Sequence, residues 1–297
     1  MRPGLCAALA AATCLAASAH AQVTTNYYET FENFVGSTGP GPWGTDVNSI
    51  AWTEPFGGNA TLGFNDVAGY VDDPASAVEF SSLQNATMQN FQNTTNPIGA
   101  ATTPYSVSFA LKLDDNATVP GGFIQLLAGN SFETVPGFRT LFQMQIWGAD
   151  FINTGDPSFF AITPFDPGTG NPLFSVTGVP GILGGANGFV ADGSDWNVVI
   201  VVFDPILAEV KAWVNPTSIS ATPDIAQPFT FGALEAPHFL SLGAYTFIPD
   251  TTPATERIAT IDSLKIMSGG TQAEAFEAAF ASYSTLNTSA VPDWQMY

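Results

Sequence analysis

The sequence predicts an all-β protein, a sandwich or a barrel, with one short helix near the C-terminus. Three observations predict it. Gly and Pro, 28 and 22 of the 297 residues, punctuate the chain at the short intervals expected of turns between strands. The segments between them are rich in β-branched and aromatic residues, which suit a pleated, half-buried surface. Several of those segments alternate apolar and polar residues, the period of a strand with one face on a core.

Residues 1–21 stand apart from this pattern. Arg2 provides a positive start, "LCAALAAATCLAA" an apolar stretch, and Ala19 and Ala21 a small-residue cleavage site before Gln22. That is the form of a secretory signal, and it is too short to span a membrane. Both cysteines, Cys6 and Cys14, fall within it. Residues 22–297 therefore carry no disulfide, thiolate nucleophile or cysteine metal site. Export without disulfides, behind an Ala-rich leader, points to a bacterial source.

The expected strands follow in order: "YYETFEN" (27–33), "AVEFSSL" (77–83), "YSVSFALKL" (105–113), "GFIQLLAG" (122–129) and "FRTLFQMQIW" (138–147). After them come "WNVVIVVF" (196–203), "LAEVKAWV" (207–214), "FLSLGAYTF" (239–247) and "RIATIDSLKI" (257–266). Strand 105–113 alternates most clearly, with Tyr105, Val107, Phe109, Leu111 and Leu113 inward and Ser106, Ser108 and Lys112 toward solvent. Asp204-Pro205 reads as the turn of a hairpin. Residues 34–60 and 148–195, rich in Gly, Pro, Asn and Asp, read as long loops. No repeat or linker divides residues 22–268, so they form one domain. After Gly270 the composition shifts to "TQAEAFEAAFASY". Thr271 is the expected N-cap, Glu274 completes a capping box, and Phe276, Phe280 and Tyr283 form the apolar stripe of a short amphipathic helix. That helix and the tail make up residues 269–297.

Charge narrows the partners. The chain carries a net charge of −20. Beyond the leader its only basic residues are Lys112, Arg139, Lys211, Arg257 and Lys265. Such a balance repels phosphate backbones and anionic lipid, so neither nucleic acid nor an acidic membrane is expected as a partner. No apolar run after residue 21 reaches membrane-spanning length, so no membrane insertion is expected.

Three segments, in their order along the chain, carry a resemblance. "YETFENFVGSTGPGPWG" from residue 28 is similar to the entry strand and Gly/Pro loop of secreted concanavalin A-like (laminin-G-like) jelly-roll domains. "DWNVVIVVFDPILAEVKAWVNP" (195–216) resembles their hairpin, and "ERIATIDSLKI" (256–266) their closing strand, which returns beside the first. The resemblance spans about residues 27 to 266. It implies a jelly-roll sandwich of two large antiparallel sheets, one flat and one concave, and a family of lectins, carbohydrate-binding modules, glycoside hydrolases, lyases and adhesive domains. The fold alone does not choose among these.

The family's hydrolases use an E-x-D-x-x-E strand, and retaining enzymes set two carboxylates about 5 Å apart. No such motif occurs in this chain. The strand that best matches reads Gln143-Met144-Gln145-Ile146-Trp147, and an amide neither exchanges a proton at useful pKa nor acts as a carboxylate nucleophile. His238 is the only histidine beyond the leader. That excludes a multi-histidine zinc site, and no G-x-S-x-G elbow accompanies it. A lyase would have to gather Arg139, Lys211, His238 and Tyr245. No cofactor is expected, apart from calcium as the one candidate ion. Its candidate ligands are Asp72, Asp73, Asp114 and Asp115, in turns where Asp also suits the backbone.

Sugar binding requires less machinery: a ring to stack on a pyranose face, and amides or charges for its hydroxyls. Gln143, Gln145 and Trp147 share one strand face, with Arg139 beside them, and Glu209, Lys211 and Trp213 share another. These seven are the candidate ligand-binding residues, with polysaccharide or glycan as the expected partner. Trp43 and Trp52 are placed to rim the same groove or pack beneath it. The expected function is a secreted, non-catalytic carbohydrate-binding or surface-adhesion domain. A polysaccharide-degrading enzyme with a rearranged site and a self-assembling structural protein remain the alternatives.

Overall fold

The computed structural model describes residues 22–29, 31, 44–45, 51–52, 62–63, 78–81, 86–91, 102–113, 122–129, 140–147, 159–164, 177–180, 196–228, 239–246 and 257–284. The described strands are β1 (Thr24–Glu29), β2 (Gly44–Thr45), β3 (Ala51–Trp52), β4 (Leu62–Gly63), β5 (Val78–Ser81), β6 (Ala86–Phe91), β7 (Tyr105–Leu113) and β8 (Gly122–Gly129). They continue with β9 (Thr140–Trp147), β10 (Phe159–Pro164), β11 (Thr177–Pro180), β12 (Asn197–Asp204), β13 (Glu209–Val214), β14 (Ile225–Pro228), β15 (Phe239–Thr246) and β16 (Arg257–Ser268). One helix follows, α1 (Gln272–Ser284).

The fold is an all-β antiparallel sandwich. One sheet has eight strands in the order β14-β13-β12-β7-β16-β5-β4, with β1 also paired to β16; the other has six, in the order β11-β10-β9-β8-β15-β6. As expected for a closing strand, β16 runs antiparallel to β1, with Tyr27 opposite Ile266. Asp204 ends β12, and its Oδ1 accepts from the backbone N–H groups of Ile206 and Leu207, both at 2.9 Å. This side-chain turn starts the hairpin to β13.

Between the sheets lie Val107, Phe109 and Leu111 from β7, Val199, Val201 and Phe203 from β12, and Met144, Ile146, Phe160 and Ile162 from the six-stranded sheet, all buried. Tyr105 stacks on Phe203 at 5.1 Å, and burial holds its phenol far above the ordinary value of 10.0. At the sandwich edge, Gln227 Nε2 on β14 donates to the carbonyl of Ile162 on β10 at 3.1 Å, tying one sheet to the other.

Two expectations are corrected. Residues 148–195 are not one loop, since they contain β10 and β11, and residues 34–60 contain β2 and β3. Ser106 and Ser108 do not face solvent: both are fully buried. The reason is α1, which lies against the outer face of the eight-stranded sheet. Ala275, Phe276, Ala279 and Tyr283 of the helix pack on Ala110, Val198, Ile200, Val202 and Trp213. Small residues at 106, 108 and 110 leave room for a helix where larger ones would hold it off.

The helix is fixed at both ends. Thr271 Oγ1 accepts from the Glu274 N–H at 3.3 Å, and Glu274 Oε2 accepts from the Thr271 N–H at 2.7 Å. This is the expected capping box. At the far end the Lys265 ammonium sits 4.8 Å from the Tyr28 ring centre and 4.7 Å from that of Tyr283. It donates to the Ser282 carbonyl at 3.4 Å, where a cation complements the helix dipole. The turn into the helix passes through Gly269, at φ 106°, where a Cβ would lie 2.7 Å from the Gln22 carbonyl oxygen. Only glycine fits there without moving the N-terminal segment.

Candidate functional site

Six of the seven candidate ligand-binding residues fall on two different sheets, three on β9 and three on β13. Met144 and Ile146 of β9 are buried in the core at 2% and 6% exposure, and Gln143, Gln145 and Trp147 take the alternate positions of the same strand. Backbone register then defines what stands beside them. Trp147 is directly opposite Phe159 on β10 and Phe123 on β8, and Phe123 is opposite Tyr245 on β15. Four aromatic residues thus occupy one cross-strand row on four adjacent strands, spaced about 4.8 Å apart by the sheet itself.

The next row on the same face is polar and small. Gln145 is opposite Ala161 on β10 and Gln125 on β8, and Gln125 is opposite Gly243 on β15. Beyond it Gln143 stands opposite Thr163 and Leu127, and Leu127 opposite Ser241. A sheet face with a line of rings and a neighbouring line of amides offers stacking and hydrogen bonding side by side. Phe123, Gln125 and Phe159 were missing from the sequence reading, because only strand register aligns them with β9.

The second group has a different setting. Glu209, Lys211 and Trp213 do share one face of β13, and it is the face that carries α1. Trp213 is 5% exposed, and its ring stacks on Phe276 with centres 4.0 Å apart and planes 21° apart. Its indole N–H donates to the Ala221 carbonyl at 2.9 Å. Lys211 Nζ donates to Gln272 Oε1 at 2.6 Å and pairs with Glu209 at 3.1 Å. Gln272 Nε2 reaches Glu209 at 3.4 Å. These three residues hold the helix, and the structure does not bring them together with the β9 group.

Arg139, the calcium candidates Asp72, Asp73, Asp114 and Asp115, and also His238 and Trp43 lie outside the described residues. Trp52 is the second residue of β3, opposite Gly44. Among the described residues no group of three or more His, Cys, Asp or Glu side chains is placed to hold a metal ion. Nor is any described helix long and apolar enough to cross a membrane.

No protein-family model matches the sequence, and no curated relative matches it. Solved structures do match the fold. The binding domain of botulinum neurotoxin serotype D superposes with a TM-score of 0.54 at 9% identity, over 87% of this chain and 52% of that one. The serotype G binding domain gives 0.52 at 11% identity, over 88% and 52%. A type C neurotoxin structure, described by its dependence on two ganglioside molecules for cell entry, gives 0.51 at 12% identity, over 86% and 52%. The chain spans about half the length of these structures. At such identities the likeness establishes the β-sandwich and nothing finer.

Proposed function

We propose that this chain is a secreted, non-catalytic carbohydrate-binding domain of the concanavalin A-like type, and that glycan lies on the outer face of the six-stranded sheet. One observation carries the reading: the cross-strand row Phe159, Trp147, Phe123 and Tyr245, flanked by the amide row of Gln145 and Gln125. Rings at strand spacing suit the apolar faces of successive sugar units, while amides both donate to and accept from hydroxyls. A ganglioside-dependent protein shares the sandwich, which supports the reading at the level of fold only. The amides at 143 and 145 support a binding role over glycoside cleavage, which needs carboxyl groups. Glu209, Lys211 and Trp213 are left out of the site because they bind α1.

Affinity gel electrophoresis through a panel of neutral and acidic polysaccharides, with a glycan array beside it, tests the proposal. Retention by at least one glycan is expected, and the Gln145→Ala/Trp147→Ala double variant is expected to lose it. Retention by none, or retention unchanged in the variant, overturns the reading. Release of reducing sugar, or of unsaturated product absorbing in the ultraviolet, would make the protein an enzyme instead.

A further inference from the structure

A cavity of about 190 Å³ opens at the end of β13, on the opposite sheet from the proposed glycan face. Trp213, Asn215, Thr217, Ala221, Thr222 and Asp224 are among the residues lining it. The loop that forms it is tied down throughout. Asn215 takes a left-handed φ of 49°, its Oδ1 accepts from the Val198 N–H at 2.8 Å, and its Nδ2 donates to Asn197 Oδ1 at 2.9 Å. Asp224 closes the loop, with its N–H on the Ala212 carbonyl and its Oδ2 accepting from the Val214 N–H, both at 2.8 Å.

An inventory of donors and acceptors indicates what this cavity can hold. Several of its N–H donors are already engaged. Asn215 N–H binds the Val198 carbonyl and Ala221 N–H the Ser218 carbonyl. Val214 N–H binds Asp224 and the Trp213 indole binds Ala221. Pro216 has no N–H to offer. What remains is Asp224 Oδ1, which takes no hydrogen bond from another described residue, with the N–H groups and hydroxyls of Thr217 and Thr222, and those hydroxyls accept as readily as they donate. Asp224 is the only charged residue in the lining, in a chain of net charge −20. An anion is repelled. A neutral polyol can bond to the threonines but leaves the carboxylate charge uncompensated. A calcium ion needs six to eight oxygens, and one carboxylate in a space this wide does not supply them. The volume is also below the roughly 300 Å³ at which drug-sized pockets begin.

We propose that this cavity is a binding site for a primary ammonium group on a short apolar stem, with the ammonium at Asp224 Oδ1 and the stem along the Trp213 wall. An ammonium has three donors and a positive charge, the complement of the Asp224 carboxylate and the threonine hydroxyl oxygens. Burial pushes the Asp224 carboxyl above its ordinary value of 3.8; a bound cation would offset that desolvation.

The test is an NMR titration of the ¹⁵N-labelled full chain, following the Trp213 indole N–H and the backbone N–H of Asp224. The Trp213 signal is assigned by its loss in Trp213→Phe. n-Butylammonium and glucosammonium are the probes, and they separate an alkyl amine from an amino sugar; glucose and calcium chloride are the controls. Saturable shifts with at least one ammonium are expected. Asp224→Asn keeps an oxygen for the Val214 N–H but loses the charge, and should weaken binding by at least about tenfold. Thr222→Lys, at an exposed position, leaves the Asp224–Val214 bond intact and should block the cavity with its own ammonium, so a folding defect in Asp224→Asn would not protect the proposal. An equal response to glucose, displacement of the amine by calcium, no response to either ammonium, or undiminished binding by both variants overturns it.

Discussion

β12 and β9 are strands of eight residues, one in each sheet, and their sequences are near opposites. β12 reads NVVIVVFD and is buried at every position. β9 reads TLFQMQIW, with buried Met144 and Ile146 set between amides and an indole. The physical difference is what covers the second face. Beneath β12 lies the other sheet and above it lies α1, so both alternating sets must be apolar. β9 gives Met144 and Ile146 to the core and carries amides and an indole at the alternate positions, the set on which the proposed glycan site rests. An unbroken apolar run is therefore a statement about a covering layer, and an alternating one about a candidate surface.

The comparison breaks most sharply at the helix. Phe276→Ala removes the ring stacked on Trp213 and leaves a gap over Ile200 and Val202. Denaturant unfolding should show a loss of about 3–5 kcal/mol. A loss near zero would mean that α1 is an accessory and that β12 is apolar for another reason. Next in size is the cap. Thr271→Ala deletes the side-chain acceptor for the Glu274 N–H and should cost about 1 kcal/mol in the same assay. The smallest effect on stability is expected at Gln145→Ala on the β9 face, within about 0.5 kcal/mol of the parent, while glycan retention falls. A large loss there would turn the β9 face into a packed surface and remove the contrast.

Much of this architecture was legible in the residues. The bounds of β7 and β8, the Asp204-Pro205 hairpin and the capped helix were read directly, because each carries its own local signal of alternation, turn chemistry or capping. β10, β11 and β14 were not read. "FFAITP" is six residues long and ends at Pro164; "IAQP" is four residues long and also ends in proline. Strands so short are defined by their partners rather than by their own period. The covering of Ser106 and Ser108 was missed for a related reason, since a small polar residue fits a solvated face and a helix-packed face equally well. The signal that distinguishes them lay on neighbouring strands, in the apolar run of β12 and in Trp213. At the candidate site, Gln145 and Trp147 were visible as a strand face. The aromatic row they belong to was not, since it joins four strands whose adjacency no single segment encodes.

The position of β16 has a consequence for the order in which this molecule is assembled. Residues 257–268 lie in the middle of the eight-stranded sheet, bonded to β7 on one edge and to β1 and β5 on the other. In a chain made from its N-terminus, that central strand arrives long after all three of its neighbours. Until it does, β1 lacks the one partner it has among the described strands, and β7 presents a bare edge of the kind that recruits foreign strands. Helix α1 comes later still and covers the outer face of the eight-stranded sheet. Sheet closure is thus a late, long-range event, the slow class of folding step. The growing chain is most exposed to mispairing just before residues 257–284 are made.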